Sequence, residues 1–304
     1  MIGYRRPLVV LAVFSALLAT PLQHAGAQES KAPSGQVQAQ TCKDGIRQKV
    51  LHEGGRGYLM IMPNSISLLP PAPAPGSAAQ AFDEAVHEQK SSLRDTPRWR
   101  MATDDADLDF PQAAGRFSCA VGTRITKEET PRLYHLIYRT LDDASAATRA
   151  AKECYQRRRP FDVHNEHTCT PKDEDVLKGN GSYPSGHATV GWMWALILSE
   201  VAPDRADMIL ARGLAFGQSR VVCNVHWESD VIAGTLVGAA LVARLHTDPT
   251  FMADLAGARA EVAANRAKGI KPLCDCAAEA RAYWLDGTDD DITSLKGVGA
   301  GPDR

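Results

Sequence analysis

The sequence predicts an all-α protein, a helix bundle in a single domain. Apolar residues recur at helical spacing from Thr130 to Leu245. Alanine is abundant and aromatic residues make up only 6% of the chain, a composition that leans towards helix. No run alternates polar and apolar residues over the length of a strand. The 304 residues are enough to bury a sizeable core.

The N-terminus reads as an export signal over residues 1–27. Arg5 and Arg6 form a positive start, Leu8 to Leu22 is mostly apolar, and Ala25-Gly26-Ala27 offers small residues for cleavage after Ala27. The apolar stretch falls short of the ~20 residues that a membrane span needs. A periplasmic or secreted protein is expected, its domain covering 28–285. Residues 28–41, rich in Gln, Ser and Ala, are expected to be mobile.

The segment "LPPAPAPG", Leu69 to Gly76, must be an extended connector, because its prolines remove donors and fix φ. Ser77 to Leu93 predicts a helix with Phe82, Ala85, Val86 and Leu93 as its apolar positions. From Thr130 a second helix places Leu133, Leu136, Ile137, Thr140 and Leu141 on one face. It continues through Asp142 to Arg158 and must stop by Pro160. Residues 161–183 read as a polar connection. Ala188 to Val201 is an apolar helix closed by Pro203, and Asp204 to Gln218 is another. Val231 to Leu245 carries Gly234 and Gly238 on one face, suited to close helix packing. It is too short to span a membrane and ends at Arg244 and His246. No stable membrane insertion of the mature chain is expected. The tail 286–304 is rich in Gly and Asp and reads as disordered.

The formal charge is −2, so no polycation is available for a nucleic-acid polymer. There are seven cysteines: Cys42, Cys119, Cys154, Cys169, Cys223, Cys274 and Cys276. Export permits disulfides, and the odd number leaves at least one residue without an internal partner. Cys274-x-Cys276 lacks the spacing of a redox or zinc motif. The sequence does not fix the oligomeric state, and a homo-oligomer is compatible with it.

Three segments carry the chemistry. The first is Lys152-x6-Arg159-Pro160. The second is Pro184-Ser185-Gly186-His187, and the third is Ser219-Arg220-x5-His226-x3-Asp230. If helical, His226 and Asp230 share a face, so the carboxylate can fix the imidazole tautomer and leave one nitrogen lone pair free. Ser185 and Gly186 precede a helix, where backbone N–H groups and the helix dipole favour an anion. Lys152, Arg159 and Arg220 add three cations, arginine being suited to bidentate phosphate contact. Singly, each piece has a plain reading: a helix-face hydrogen bond, an N-cap, a solvated helix end. Ser185 lacks the G-x-S-x-G setting of a nucleophilic serine.

Taken together, the segments resemble the signature of the type 2 phosphatidic acid phosphatase superfamily. "GSYPSGH", Gly181 to His187, is similar to the class A bacterial non-specific acid phosphatases, which usually have threonine where this chain has Ala188. The "LPPAPAPG" segment and Phe82 add a weaker likeness. The signature covers residues 152–230. The resemblance implies a helix bundle of the acid phosphatase/vanadium haloperoxidase type and hydrolysis of small phosphate monoesters through a phosphohistidine. His226 is implied as nucleophile, His187 as general acid and base, and Asp230 as the group that orients His226. Lys152, Arg159, Ser185, Gly186 and Arg220 are implied to hold the phosphate. With three cations in place, neither a metal nor a cofactor is implied. Alternatives from other classes are a vanadium-dependent haloperoxidase and an exported phosphate-binding helical protein with a degenerate site. His164, His167 and Cys169 lie in the polar connection without a confirmed third ligand and do not make a metal site.

Overall fold

The computed structural model describes residues 56–284 together with Cys42 and the pair Val50–Leu51. The expected signal peptide, residues 28–41 and the tail 286–304 thus lie outside the described residues. The fold is all-α, as the sequence predicts. Among the described residues the only strands are the antiparallel pairs of β1 (Val50–Leu51) and β2 (Ile61–Met62), with Val50 opposite Met62.

The chain continues through α1 (Ser65–Leu68), the extended prolines, and α2 (Ala78–Ser91). Then come α3 (Pro97–Asp105), α4 (Gln112–Gly115), α5 (Ser118–Val121) and the long α6 (Pro131–Tyr155). After α7 (Pro160–His164) and α8 (Glu174–Lys178) follow α9 (Gly186–Val201), α10 (Ala206–Val222), α11 (Glu228–Leu245), α12 (Pro249–Ala267) and α13 (Cys276–Trp284).

Helix α9 is the centre. It is apolar around most of its circumference and packs on α6, α10, α11 and α12, as a helix buried on all sides must. Trp194 meets Phe117 and Phe216 in the core, and its indole N–H donates to Thr140 Oγ1 at 3.2 Å. The expected faces of α6 and α11 are seen: Leu133, Leu136, Ile137 and Thr140 are buried and Leu141 is half-buried, and Gly234 and Gly238 are buried. A Cβ on Gly234 would lie 2.4 Å from the Ser185 carbonyl oxygen, so α11 crosses α9 as closely as backbone allows.

Several boundaries differ from the sequence reading. Helix α6 ends at Tyr155 instead of Arg158, because Gln156 turns left-handed at φ 44°. The three arginines that follow therefore leave the helix. Helix α10 runs to Val222, which places Ser219 and Arg220 in its last turn. The connection 161–183 contains α7, a 3₁₀ turn at Pro171–Asp173, and α8, all too short to show a period. In α2 the apolar pattern held only in part. Phe82 is 51% exposed and Ala85 is exposed, while Asp83 is fully buried. Val86 and Leu93 are half-buried and pack against the core as expected, while Asp83 on the inner face meets an arginine.

Disulfides join Cys42 to Cys154, Cys119 to Cys276, and Cys169 to Cys223, leaving Cys274 free. Cys169–Cys223 ties the 161–183 connection to the end of α10. No single described helix is long and apolar enough to cross a membrane.

Candidate active site

The three sequence segments converge where the ends of α6 and α10, the starts of α7 and α9, and the turn before α11 meet. A cavity of about 530 Å³ opens there, lined by Lys152, Arg159, Gly186, His187, Arg220 and His226 among others. Leu108, Arg149, Glu153 and Gln156 also line it.

His226 sits just ahead of α11 rather than within it, so it does not share a helix face with Asp230. The pair forms differently. Asp230 occupies the third position of α11 and its Oδ2 accepts the Trp227 backbone N–H at 2.9 Å. This folds the turn back so that His226 Nδ1 lies 3.3 Å from the same oxygen. On the other side of the ring, Arg159 Nη1 donates to His226 Nε2 at 3.0 Å. Because guanidinium only donates, Nε2 must carry the lone pair and Nδ1 the proton. Burial, and then the charge of Arg159, push His226 well below the ordinary histidine range, against the pull of Asp230. The imidazole is a neutral base whose Nε2 lone pair faces a cation.

Asp230 is fully buried and ringed by donors. Burial alone would raise its carboxyl, but Arg157, His226 and Ser182 outweigh that and hold it well below the usual carboxylate range. Arg157 Nη1 donates to Asp230 Oδ1 at 2.6 Å. The Ser182 hydroxyl donates to Oδ2 and stands 3.2 Å from His226 Nδ1. Arg157 is itself gripped from α2, donating to Asp83 Oδ2 and Gln80 Oε1, both at 2.6 Å. Asp83 also accepts the Ser229 N–H and hydroxyl. Sequence reasoning missed Arg157, Ser182 and Asp83. Arg157 lay in a basic run read as a solvated helix end, and only Arg158 of that run is exposed.

The cations differ in what they hold. Lys152, near the end of α6, donates from Nζ to the Gly181 carbonyl at 2.7 Å. Burial, with help from Arg159 and Arg220, brings its ammonium down to about 7. Arg159 caps α7 and donates to the carbonyls of Leu177, Asn180 and Val225. Arg220 is 2% exposed, yet its Nε and Nη1 have no protein partner. Burial and Arg159 lower Arg159's neighbour Arg220 to about 9, so it stays charged at neutral and acid pH. A buried, charged guanidinium with unmet donors beside an open cavity is suited to receive an anion.

His187 opens α9, and its Nε2 lies 3.0 Å from the Ala106 carbonyl at the end of α3. Nε2–H is therefore a donor, which leaves Nδ1 as the other titrating atom. Burial and then Arg220 drive His187 well below its ordinary value. Ser185 caps α9, its hydroxyl accepting the Ala188 N–H at 3.2 Å. It is fully buried behind the cavity lining, while Gly186 reaches the lining itself.

Asp105, at the end of α3, supports this wall. It accepts from Ser219 Oγ at 2.6 Å and from both Arg212 Nη atoms, and Arg98 donates to the same Ser219 hydroxyl. His164 is not at the cavity: it pairs with Glu84 at 2.8 Å and stacks on His87. His167 is exposed, and Cys169 is taken by its disulfide.

Comparison with known proteins agrees with this geometry. The PAP2 superfamily model matches residues 135–251. The chain is 46% identical over 201 residues to a non-specific acid phosphatase of Providencia stuartii, covering 66% of this chain and 81% of that protein. It is 43% identical over 200 residues to the non-specific acid phosphatase of Salmonella typhimurium, covering 66% and 80%. It is 40% identical over 216 residues to an acid phosphatase of Zymomonas mobilis, covering 70% and 82%. The chain therefore belongs to the PAP2 superfamily, most like the class A bacterial non-specific acid phosphatases, and is an acid phosphatase.

Proposed function

We propose that this acid phosphatase is an exported enzyme that hydrolyses small phosphate monoesters through a phosphohistidine on His226, without a metal. The observation that carries the reading is Arg220, with two buried nitrogens lacking partners at a cavity that also holds Lys152, Arg159 and two histidines. Localisation rests on the predicted leader, cleaved after Ala27.

The bound phosphoryl group would take the free donors of Arg220, the Gly186 N–H and the Ser185 hydroxyl proton. It would draw Lys152 and Arg159 from their carbonyls. Phosphoryl transfer depends chiefly on such positioning and charge stabilisation. Withdrawal of Arg159 from His226 Nε2 frees the lone pair to attack phosphorus in line. As the N–P bond forms, the P–O ester bond breaks and the leaving oxygen takes a proton from His187. Asp230 steadies the cationic imidazole through Nδ1. Water then attacks the phosphohistidine, His187 accepts its proton, the N–P bond breaks and orthophosphate leaves.

The acid preference follows from charge. In the empty pocket the surrounding cations oppose protonation of His187. A phosphate monoester neutralises them, and its monoanion, dominant below a second pKa of about 6, can bring a proton with it. His226→Ala is expected to lower p-nitrophenyl phosphate turnover at least about a thousandfold, with alkali-quenched labelling of the wild type yielding acid-labile, base-stable phosphohistidine. Wild-type turnover is expected to survive EDTA. An unlabelled histidine, or a variant with full activity, would refute the mechanism.

A further inference from the structure

A second cavity, of about 900 Å³, is lined by residues of α3, α4, α10 and α13. Its charged lining is dominated by arginine. Arg116, Arg124 and Arg281 reach it, over a floor that includes Met101, Ile125 and Ala282. The nearby acids are largely committed. Asp105 and Glu279 are both held by Arg212, at 2.5 and 3.1 Å. Asp104 stands 4.0 Å from Arg116 and is mostly in solvent. Arg116 Nε and Arg124 Nε are buried and have no hydrogen-bond partner, although Arg124 Nη1 stands 3.5 Å from Glu129. As in the catalytic pocket, arginine donors are left unmet beside open space, but here the floor is apolar. A head group with negative charge and a hydrocarbon body fit that combination.

The two cavities are linked through α3 and its C-terminal end. Helix α3 faces the second cavity with Pro97, Arg100, Met101 and Asp104. Its end supplies Asp105 to Ser219 and the Ala106 carbonyl to His187. Arg212 also lines the second cavity; its Nε donates to the Arg116 carbonyl at 3.2 Å, and its Nη atoms hold Asp105. Ser219 directly precedes Arg220. A ligand that draws Arg116 inward thus pulls on the same carboxylate that sets the last turn of α10.

We propose that this cavity is a binding site for a small amphiphilic anion, and that its occupancy is transmitted to the phosphate pocket through Arg212, Asp105 and Ser219. The binding half stands without the catalytic mechanism above; the transmitted half needs only the phosphatase activity.

Octanesulfonate, which carries no ester phosphate to hydrolyse, is a suitable probe for calorimetric titration of the full chain. The expected result is saturable binding that persists when orthovanadate fills the catalytic pocket. Methanesulfonate and octanol, supplying only head or only tail, should each bind at least about tenfold more weakly. The Arg116→Ala/Arg124→Ala variant should lose about tenfold in octanesulfonate affinity while keeping the wild-type rate on p-nitrophenyl phosphate without the probe. In the wild type, the probe should change KM for that substrate by about fivefold, and the variant should not respond. Competition with orthovanadate, equal binding by methanesulfonate, or undiminished binding in the variant would each overturn the site. Binding with unchanged kinetics would overturn the transmission.

Discussion

At the residue scale, the site is a set of groups whose charge states are set by one another. Arg220, Arg159 and Lys152 oppose protonation of His187, and Arg159 and Lys152 that of His226, while burial does the larger part of that work. A bound anion should reverse the cationic contribution. We expect the His187 imidazole to titrate at higher pH when orthovanadate is bound than in the free enzyme, as read by NMR of ring carbons. An unchanged or lowered titration would exclude the proton-donor role. The residues of the three segments were legible from sequence because each segment is contiguous and its chemistry is local. Asp83, Asp105 and Ser182 were not, because their meaning lies in partners far along the chain: Arg157, 74 residues from Asp83, and Arg212, 107 residues from Asp105.

At the scale of elements, boundaries decide function. The early end of α6 turns Arg157 inward, and the polar face of α2 meets it there. Removing Arg157 leaves Asp83 and Asp230 buried without their shared cation, a loss of about 3–5 kcal/mol for a buried pair. For the milder Arg157→Lys, Asp230 should protonate more readily. The acid limb of the kcat/KM profile is then expected to move to higher pH, with kcat falling as His226 loses its fixed orientation. A merely structural Arg157 would lower the amount of folded enzyme and leave that limb in place. Crossings of α9 explain Ala188: it is buried, with its Cβ 3.4 and 3.0 Å from where side chains on Gly217 and Gly234 would begin. The smaller residue suits a notch between α10 and α11. Gly234→Ala would push a methyl against the Ser185 carbonyl, an unyielding neighbour. It is expected to cost about 1–3 kcal/mol in chemical denaturation and to disturb the start of α9. The bundle's long helices were legible because their faces repeat, whereas α3, α7 and α8 are short and are held by ion pairs, caps and a disulfide. Phe82 and Ala85 were misassigned for the same reason, since a key contact of α2 is a charge, whereas Val86 and Leu93 do pack on the core.

For the whole molecule, the buried site makes stability depend on pH. His187 and His226 are depressed in the fold, so the unfolded chain binds protons more readily below its ordinary histidine pKa of about 6.5. Their contribution is intact above that value and is lost as pH falls. Asp230, also depressed, stays ionised in the fold and adds a further loss below about 4. Melting temperature without ligand is expected to fall from pH 7 to pH 4, and orthophosphate to shrink the fall by binding only the folded state. A flat profile in scanning calorimetry would contradict the neutral histidines. Removing the Cys169–Cys223 link, by Cys169→Ser with Cys223→Ser, should cost about 2–4 kcal/mol and loosen the connection that carries Leu177 and Asn180 to Arg159.

Those carbonyls have a kinetic meaning as well. In the empty enzyme Lys152 and Arg159 are not waiting bare; they rest on Gly181, Leu177, Asn180 and Val225. On the proposed mechanism, orthophosphate would have to compete with these internal acceptors to stay bound, and on its departure the cations would have somewhere to return. Only Arg220 would lose its partner outright. The pocket would then grip a transition state with three cations and release its product against the resistance of little more than one.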